Sequence, residues 1–216
     1  PEAFELLKEF SRLDPRIKVK KLAVNSGISA ATNAALDMAT GEWIAFMDHD
    51  DIISRDALAL LACAINGNDK ARLIYTDEDK IDESGRRSEP YMKGQWNREL
   101  FYAQNYLNHL TAVRRDVADQ AGPLRSQFDG SQDYDFVLRV IERIRDENIV
   151  HVPFVCYHWR FATQRVNFSQ TYGDRTINAS VGALNEHFKR TSQPAVAEFI
   201  GAKHSYIRPR WRLANQ

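Results

Sequence analysis

The sequence lacks the features that would place it in several specialised classes of protein. No apolar run approaches the ~20 residues that a transmembrane helix needs. The only two cysteines, Cys63 and Cys156, are far apart and form no metal-binding spacing, so we expect two buried, reduced thiols. Lys plus Arg and Asp plus Glu each total 29, which argues against nucleic acid or an anionic membrane as the main partner.

The N-terminal third of the chain contains a regular alternation of predicted strands and helices. Strands are predicted at residues 17–24, 42–47 and 71–79, and helices at 29–41 and 54–66. The middle strand is a continuous apolar run, which is typical of a strand buried on both faces. This order predicts an α/β protein with a mixed, mainly parallel sheet flanked by helices.

The rest of the chain has a weaker pattern. Residues 85–116 are rich in aromatic side chains with little periodicity, which favours a binding loop or lid that leads into a short strand near 109–116. Helical spacing returns at 130–148 and 176–190, around a strand at 148–160. Residues 196–201 and 203–211 are predicted to form either short strands or an extended linker.

Three carboxylates occur in the sequence MDHDD, residues 47–51, directly after a predicted strand. In an extended chain Asp48 and Asp50 point the same way, so their oxygens can converge on one point. Two such oxygen donors suit Mg²⁺ or Mn²⁺, which keep open positions for phosphate oxygens. The alternative is a solvated acidic turn in which Asp51 caps the following helix.

Six motifs in order carry a resemblance to a known family. They are NSGISAATNAALDMATGEWIAFMDHDD, IYTDEDKID, PYMK ahead of Trp96, NYLNHLTAVRRD, GSQDYDFVLR and YHWR. Together they resemble the inverting family-two glycosyltransferases of the GT-A fold, most closely the bacterial enzymes that build O-antigen, capsule or lipopolysaccharide. The resemblance implies sugar transfer from a UDP- or dTDP-sugar donor to a glycan or lipid-linked glycan, with Mn²⁺ or Mg²⁺ as cofactor. It also implies a location in the cytoplasm or at the cytoplasmic face of the inner membrane.

The resemblance assigns roles to four acidic or basic positions. Asp48 and Asp50 match the metal and diphosphate motif, and Asp133 matches the catalytic base that takes the proton of the acceptor hydroxyl. Asp133 lies where a loop enters a helix, so the alternative for it is a helix cap, and Asp135 is expected to be a cap or structural acid. His158 completes the metal site or contacts the diphosphate, unless it is an ordinary surface histidine.

Further positions are expected to contact the two substrates. The expected donor-binding residues are Asn25, Gly27, Asn33, Asp77 and Arg160, the last because guanidinium pairs with phosphate oxygens. The expected acceptor-binding residues are Lys93, Trp96, Tyr106 and Trp159, whose rings could stack on sugar faces although large aromatics more often lie in the core. His49 is assigned no role.

The sequence departs from the family pattern in two places. Thr32 stands where family members often carry an arginine near the diphosphate. The family's first strand–helix–strand unit, which holds the nucleotide base, is absent, so we expect residues 1–165 to form a partial GT-A domain with little activity alone. Residues 166–200 are then a helical extension, and residues 201–216 an extended linker that could lead to a second domain. The missing unit also predicts self-association through the open edge.

Two other functions remain open at this point. One is a degenerate transferase domain that only binds a glycan or a protein partner. The other is a different metal-dependent phosphotransfer enzyme on an α/β sheet, although no basic phosphate-binding loop is present. Intact Asp48, Asp50 and Asp133 favour the transferase.

Overall fold

A computed structural model describes residues 2–161, 173–201 and 206–212. Within these residues there are seven α-helices: α1 Glu2–Leu13, α2 Ile28–Leu36, α3 Ala57–Gly67, α4 Arg98–Ala103, α5 Arg115–Ala121, α6 Gln132–Ile141 and α7 Gly173–Arg190. The same residues contain eight strands: β1 Trp43–Phe46, β2 Ile52–Ile53, β3 Leu73–Ile81, β4 Arg87–Tyr91, β5 Thr111–Arg114, β6 Ile149–Arg160, β7 Ala195–Phe199 and β8 Ile207–Trp211.

A mixed six-stranded sheet forms the centre of the molecule. Its strand order is β1-β5-β3-β6-β2, and β4 also pairs with β3. The two longest strands, β3 and β6, form a parallel ladder, while the shorter strands join it through antiparallel pairs. Strands β1, β3 and β6 therefore run in the same direction. The predicted α/β class, with helices flanking a mixed sheet, is confirmed.

Both faces of the sheet are covered near β3. Leu73 and Tyr75 belong to one apolar cluster, with α4 to α7, and Ile74 belongs to a second cluster beneath α3. Consecutive residues of a strand point to opposite faces, so the run LIY is apolar throughout. Strand β1 differs from the prediction, because only Ile44 is buried there and Ala45 faces solvent.

The predicted strand at 17–24 is wrong. No strand forms between α1 and α2, and Ile17 and Val24 are exposed. A strand needs a neighbouring strand to accept its backbone hydrogen bonds, and none of the described strands pairs with this segment. Helix α2 is also shorter than predicted: it begins after Gly27 rather than at a Ser29 cap, and it ends at Leu36.

The sequence predicted that β3 ends at its acidic residues. In the structure the strand continues through them to Ile81. Its second half gains hydrogen-bonding partners on both sides, from β4 and β6. Asp77 and Asp79 are consequently buried at 1% and 4% exposure. Buried carboxylates require hydrogen-bonding or charged partners. The partners of Asp77 and Asp79 are other residues of this protein, and they are described with the site below.

The aromatic segment at 85–116 is ordered structure rather than a lid. It supplies β4, α4 and β5, and the rings of Phe101, Tyr102 and Tyr106 are almost fully buried in the larger apolar cluster. Weak periodicity hid these elements because each is only a few residues long. The short strand predicted near 109–116 is confirmed as β5.

The C-terminal part packs onto the same core. Strands β7 and β8 form an antiparallel hairpin, so residues 207–211 are a strand and not an extended linker. Ile207 is buried, and Trp211 lies 5.7 Å from Phe188 of α7 between ring centroids. The boundary predicted at 165/166 lies outside the described residues, as do residues 202–205 and 213–216 of the predicted linker.

Some surface features bear on the earlier expectations. Helix α1 exposes a row of apolar side chains, namely Leu6, Leu7, Phe10 and Leu13. Self-association through this side of the molecule stays a prediction. Cys156 is buried as predicted, but Cys63 is exposed, so the expectation of two buried thiols is half wrong. No helix among the described residues is long and apolar enough to cross a membrane.

A buried polar cluster ties α7 to the rest of the core and predicts a loss of stability in acid. Burial alone would raise the pKa of Glu142, but hydrogen bonds from His187 and Arg190 overcome this and lower it to about 2, from 4.5. A carboxyl with a depressed folded-state pKa stabilises the fold above its unfolded pKa. That contribution should therefore disappear as the pH falls from about 4.5 to about 2.

Urea unfolding of the wild type and of Glu142→Gln across this pH range checks the prediction. We expect the variant to be less stable by about 1–2 kcal/mol at pH 6, with the difference shrinking towards zero near pH 2. Glu147→Gln, at a more exposed carboxyl, is the control and should match the wild type. A pH-independent difference would contradict the assignment.

Candidate functional site

The acid loop, residues 48–51, is held against the end of β6. The Tyr157 hydroxyl accepts a hydrogen bond from the Asp48 backbone N–H at 3.1 Å and donates to Asp51 Oδ2 at 2.5 Å. The Arg160 backbone N–H donates to Asp51 Oδ1 at 2.8 Å. Asp51 is thus a structural acid and does not cap α3, whose N-cap is Asp56.

Asp48 is the half-buried member of the acid loop. Burial raises its pKa, and the nearby carboxylates of Asp51, Asp133 and Asp50 raise it further, while His109 opposes the change. His109 Nε2 lies 3.9 Å from Asp48 Oδ2. These carboxylates repel one another, and a bound cation would reduce that repulsion.

Asp133 approaches this loop from the other side of the site. It is the second residue of α6, and its Oδ2 accepts amide hydrogens from Asn105 at 3.0 Å and Asn108 at 2.5 Å. No hydrogen bond from the described residues reaches Oδ1. The helix N-terminus adds partial positive charge near the carboxylate. Ser131, not Asp133, is the N-cap residue.

Asp135 is a structural acid, one of the two roles expected for it. It is fully buried, and its carboxylate accepts hydrogen bonds from both Arg125 and Arg139. Asp133 and Asp135 therefore have opposite environments although one residue separates them: the first is open to the site, and the second is enclosed by arginines.

His158 lies beside the acid loop but is not a surface residue. Its partner across the sheet is Ile52, the residue that follows the loop, and the side chain is 6% exposed. Its Nδ1 is 2.5 Å from Asp79 Oδ1, and Asp79 is also bound by Arg87. A carboxylate on one ring nitrogen fixes the orientation of the ring.

The structure separates the residues predicted to bind the donor. The Arg160 side chain is exposed next to the acid loop, as expected for a diphosphate contact. Asn25 accepts from the Gly27 N–H at 3.2 Å, and Gly27 has the left-handed φ of 86° at the start of α2. A Cβ on Gly27 would lie 2.6 Å from Asp129 Oδ2, so only glycine fits there.

Two of the predicted donor contacts are engaged by other residues of the protein instead. The Asn33 amide both donates to and accepts from the Leu124 backbone at 2.8 Å, which ties α2 to the chain ahead of α6. Asp77 accepts from the Lys93 backbone N–H and pairs with His151, each at 2.8 Å. With these contacts and 1% exposure, Asp77 does not reach a donor sugar in this structure.

The residues predicted to bind the acceptor are also divided. Trp159 is 37% exposed and meets His109 edge-on at 5.1 Å, so it lies at the site. Trp96 donates to Asp146, which precedes β6, and thus belongs to the opposite end of that strand. Tyr106 and Lys93 are buried, so the prediction that they contact a sugar is wrong for this structure.

Several residues of the site were missed by the sequence analysis. Asn105, Asn108 and His109 all lie in the motif NYLNH, and Tyr157 lies in YHWR, yet none was assigned a role. Asn105 and Asn108 hold Asp133, while His109 stacks on Tyr157 at 4.8 Å and approaches Asp48. Polar residues at 105, 108 and 109 in an otherwise apolar stretch were the available signal.

The carboxylates of the acid loop supply only some of the ligands that a divalent cation needs. Asp48 and Asp50 offer hard oxygen ligands, Asp50 is about half exposed, and neighbouring carboxylates repel Asp48. Within the described ranges, no three His, Cys, Asp or Glu side chains are arranged as a complete metal site. Two carboxylates with other positions left open suit Mg²⁺ or Mn²⁺ beside phosphate oxygens. His49 is exposed to solvent.

Comparisons with known proteins give a family model and several relatives. Residues 2–122 match the family model described as Glycosyl transferase family 2. The uncharacterised protein y4gI of Sinorhizobium fredii is 37% identical over 213 residues, which cover 99% of this chain and 23% of y4gI. The O-antigen biosynthesis protein RfbC of Myxococcus xanthus is 32% identical over 195 residues, covering 90% of this chain and 15% of RfbC.

A solved structure shares the fold. The mannosyltransferase PcManGT of Pyrobaculum calidifontis, in complex with GDP-Man and Mn²⁺, superposes with a TM-score of 0.55 at 16% identity, over 87% of this chain and 50% of that one. This chain covers only part of the two curated relatives, namely 23% of the length of y4gI and 15% of the length of RfbC.

Proposed function

The chain belongs to glycosyl transferase family 2 and has the GT-A fold, and we propose from this premise that it transfers a sugar from a nucleotide-sugar donor to a glycan acceptor with inversion. The observation that carries the proposal is that neighbouring residues of one segment reach both acids: Asn108 binds Asp133 at 2.5 Å, and His109 lies 3.9 Å from Asp48. The transfer likewise requires the donor and the acceptor to be held side by side, because the acceptor hydroxyl attacks the anomeric carbon that bears the diphosphate.

Asp133 is the proposed catalytic base. An inverting transfer needs one carboxylate that removes the proton from the acceptor hydroxyl as that oxygen attacks the anomeric carbon. Asn105 and Asn108 occupy Oδ2, so Oδ1 is the oxygen that would take the proton. Trp159, exposed beside His109, is the proposed stacking surface for the acceptor.

Asp48 and Asp50 would hold Mn²⁺ or Mg²⁺, and His158, which forms no three-residue metal site with them in the described ranges, is proposed as a diphosphate contact. When bound, such an ion offsets the charge that develops on the diphosphate leaving group. Arg160 would pair with phosphate oxygens, and Asn25 and Gly27 line the proposed donor side. The presence of GDP-Man and Mn²⁺ in the mannosyltransferase structure supports this class of ligand.

The biological setting is also a proposal. The identity to RfbC supports a role in synthesis of a bacterial surface polysaccharide, with a lipid-linked or free glycan as acceptor, in the cytoplasm or at its membrane face. UDP- and dTDP-sugars are the proposed donors, and GDP-sugars belong in the same test. Low activity of the 216-residue chain alone stays a prediction.

Calorimetry of donor binding tests the proposed function. We expect UDP-, dTDP- or GDP-sugars to bind the full-length gene product more tightly with Mn²⁺ than with EDTA. Asp50→Ala should remove most of that metal dependence, since it deletes one of two carboxylate ligands. His49→Ala, at the exposed neighbour of Asp50, is the matched control. Equal Mn²⁺-dependent affinity in Asp50→Ala would refute the metal assignment, and binding without any turnover would favour a binding module.

A further inference from the structure

A buried ion pair lies next to the segment that contacts the proposed base. The Lys93 side chain is 0% exposed, and its Nζ is 3.0 Å from Glu78 Oε2. Buried ion pairs seldom stabilise a fold more than a well-packed apolar pair would, because both charges lose their hydration. The position of this pair therefore calls for an explanation other than stability.

The pair is bonded to the backbone of the segment that reaches the site. Lys93 Nζ donates to the carbonyl oxygens of Leu107 at 3.3 Å and His109 at 2.8 Å. Glu78 Oε2 accepts from the backbone N–H of His109 at 2.5 Å. The peptide groups on both sides of His109 are thus fixed by one lysine and one glutamate.

The same segment carries the side chains that contact both acids. Asn108 Nδ2 donates to Asp133 Oδ2 at 2.5 Å, and the side-chain oxygen Asn108 Oδ1 accepts from the Thr111 hydroxyl at 2.9 Å. His109, next in the chain, lies 3.9 Å from Asp48. A shift of this backbone would move the partner of the base and the neighbour of the acid loop together.

We propose that Glu78 and Lys93 are positioning residues that clamp residues 107–109, so that Asn108 holds Asp133 and His109 faces Asp48 in the arrangement needed for transfer. The inference rests on the proposed function and replaces the predicted contact of Lys93 with the acceptor. Lys93 and Glu78 act through the segment they hold, and neither contacts substrate.

The decisive variant removes both charges at once. Glu78→Leu/Lys93→Met exchanges the pair for apolar side chains of similar size, so neither charge is left buried alone. We expect it to fold, to exchange the backbone amides of residues 105–110 at least tenfold faster than the wild type, and to leave the amides of β3 protected. Lys80→Met, which breaks the exposed Lys80–Glu89 pair of the same hairpin, is the control and should change neither.

Kinetics separate positioning from mere support of the fold. Misplacing a reacting group by about 1 Å can cost 10²-fold, so we expect kcat of the double variant to fall about 10- to 100-fold with donor Kd unchanged. If the double variant does not fold, Glu78→Gln keeps the volume and one acceptor oxygen and should show the same pattern at about 3- to 10-fold.

Two outcomes would overturn the inference. One is unchanged exchange of residues 105–110 in the folded variants, and the other is wild-type kcat despite faster exchange. The exchange measurement needs no substrate. If the proposed function is wrong, the wild-type protein will transfer no sugar, while the backbone amides of residues 105–110 remain protected from exchange. The two failures can therefore be told apart.

Discussion

Replacing Asp133 with Asn is expected to reduce kcat by about 10²- to 10⁴-fold, the usual contribution of a general base. The variant keeps an oxygen for the amide hydrogens of Asn105 and Asn108, so the geometry of the site should survive. It loses the ability to accept the proton of the acceptor hydroxyl. Binding of the donor, which engages the acid loop, should change little.

Transfer assays with the full-length gene product, together with donor calorimetry, check this result. Asp119→Asn, at an exposed acid of α5, is the matched control and should retain full turnover. Substantial activity in Asp133→Asn would place the base elsewhere. Asp135 could not replace it, because that carboxylate is enclosed by Arg125 and Arg139.

Replacing Asp135 with Asn is expected to lower the free energy of unfolding by about 3–5 kcal/mol, because removing one partner of a buried ion pair leaves the other charge uncompensated. Asp135 is 0% exposed, and Arg139, which is 7% exposed, would lose its carboxylate within α6. Arg139 also donates to backbone carbonyls that end α5, so the loss should spread to that helix.

Urea unfolding measures this change, and Asp133→Asn on the same helix is its control. The two variants make the same chemical substitution two positions apart, yet one should lose activity and the other stability. A loss below about 1 kcal/mol for Asp135→Asn would mean that the two arginines find solvent or other acceptors. The contacts of Arg125 and Arg139 with Asp135 would then contribute little to stability.

The parts of the site that could be predicted are those with local sequence signals. An apolar strand followed by MDHDD defines the acid loop, and GSQDYD at a loop–helix junction defines Asp133. In both cases the position in the chain restricts where the side chain can lie. The helical spacing of α6 and α7 was readable for the same reason, since one face of each helix is buried.

The remaining parts depend on contacts that no local pattern encodes. Lys93 and Tyr106 look like polar and aromatic ligands in the sequence, but the chain that follows β4 and α4 buries both of them. Asn105 and Asn108 gain their role only because α6 brings Asp133 to them. The alternation in residues 17–24 predicted a strand, but a strand also requires a partner, and the described chain provides none there.

The hydroxyl of Tyr157 joins residues that are 109 positions apart in the chain, since it bonds the acid loop from the end of β6. Contacts of such long range form late in folding, because the entropy of closing the intervening loop must be overcome first. A chain that has built α6 and α7 but has not docked β6 would therefore lack the acid loop in its bound form. Donor binding then reports complete folding, and a bound nucleotide sugar should slow global unfolding by stabilising only the finished molecule.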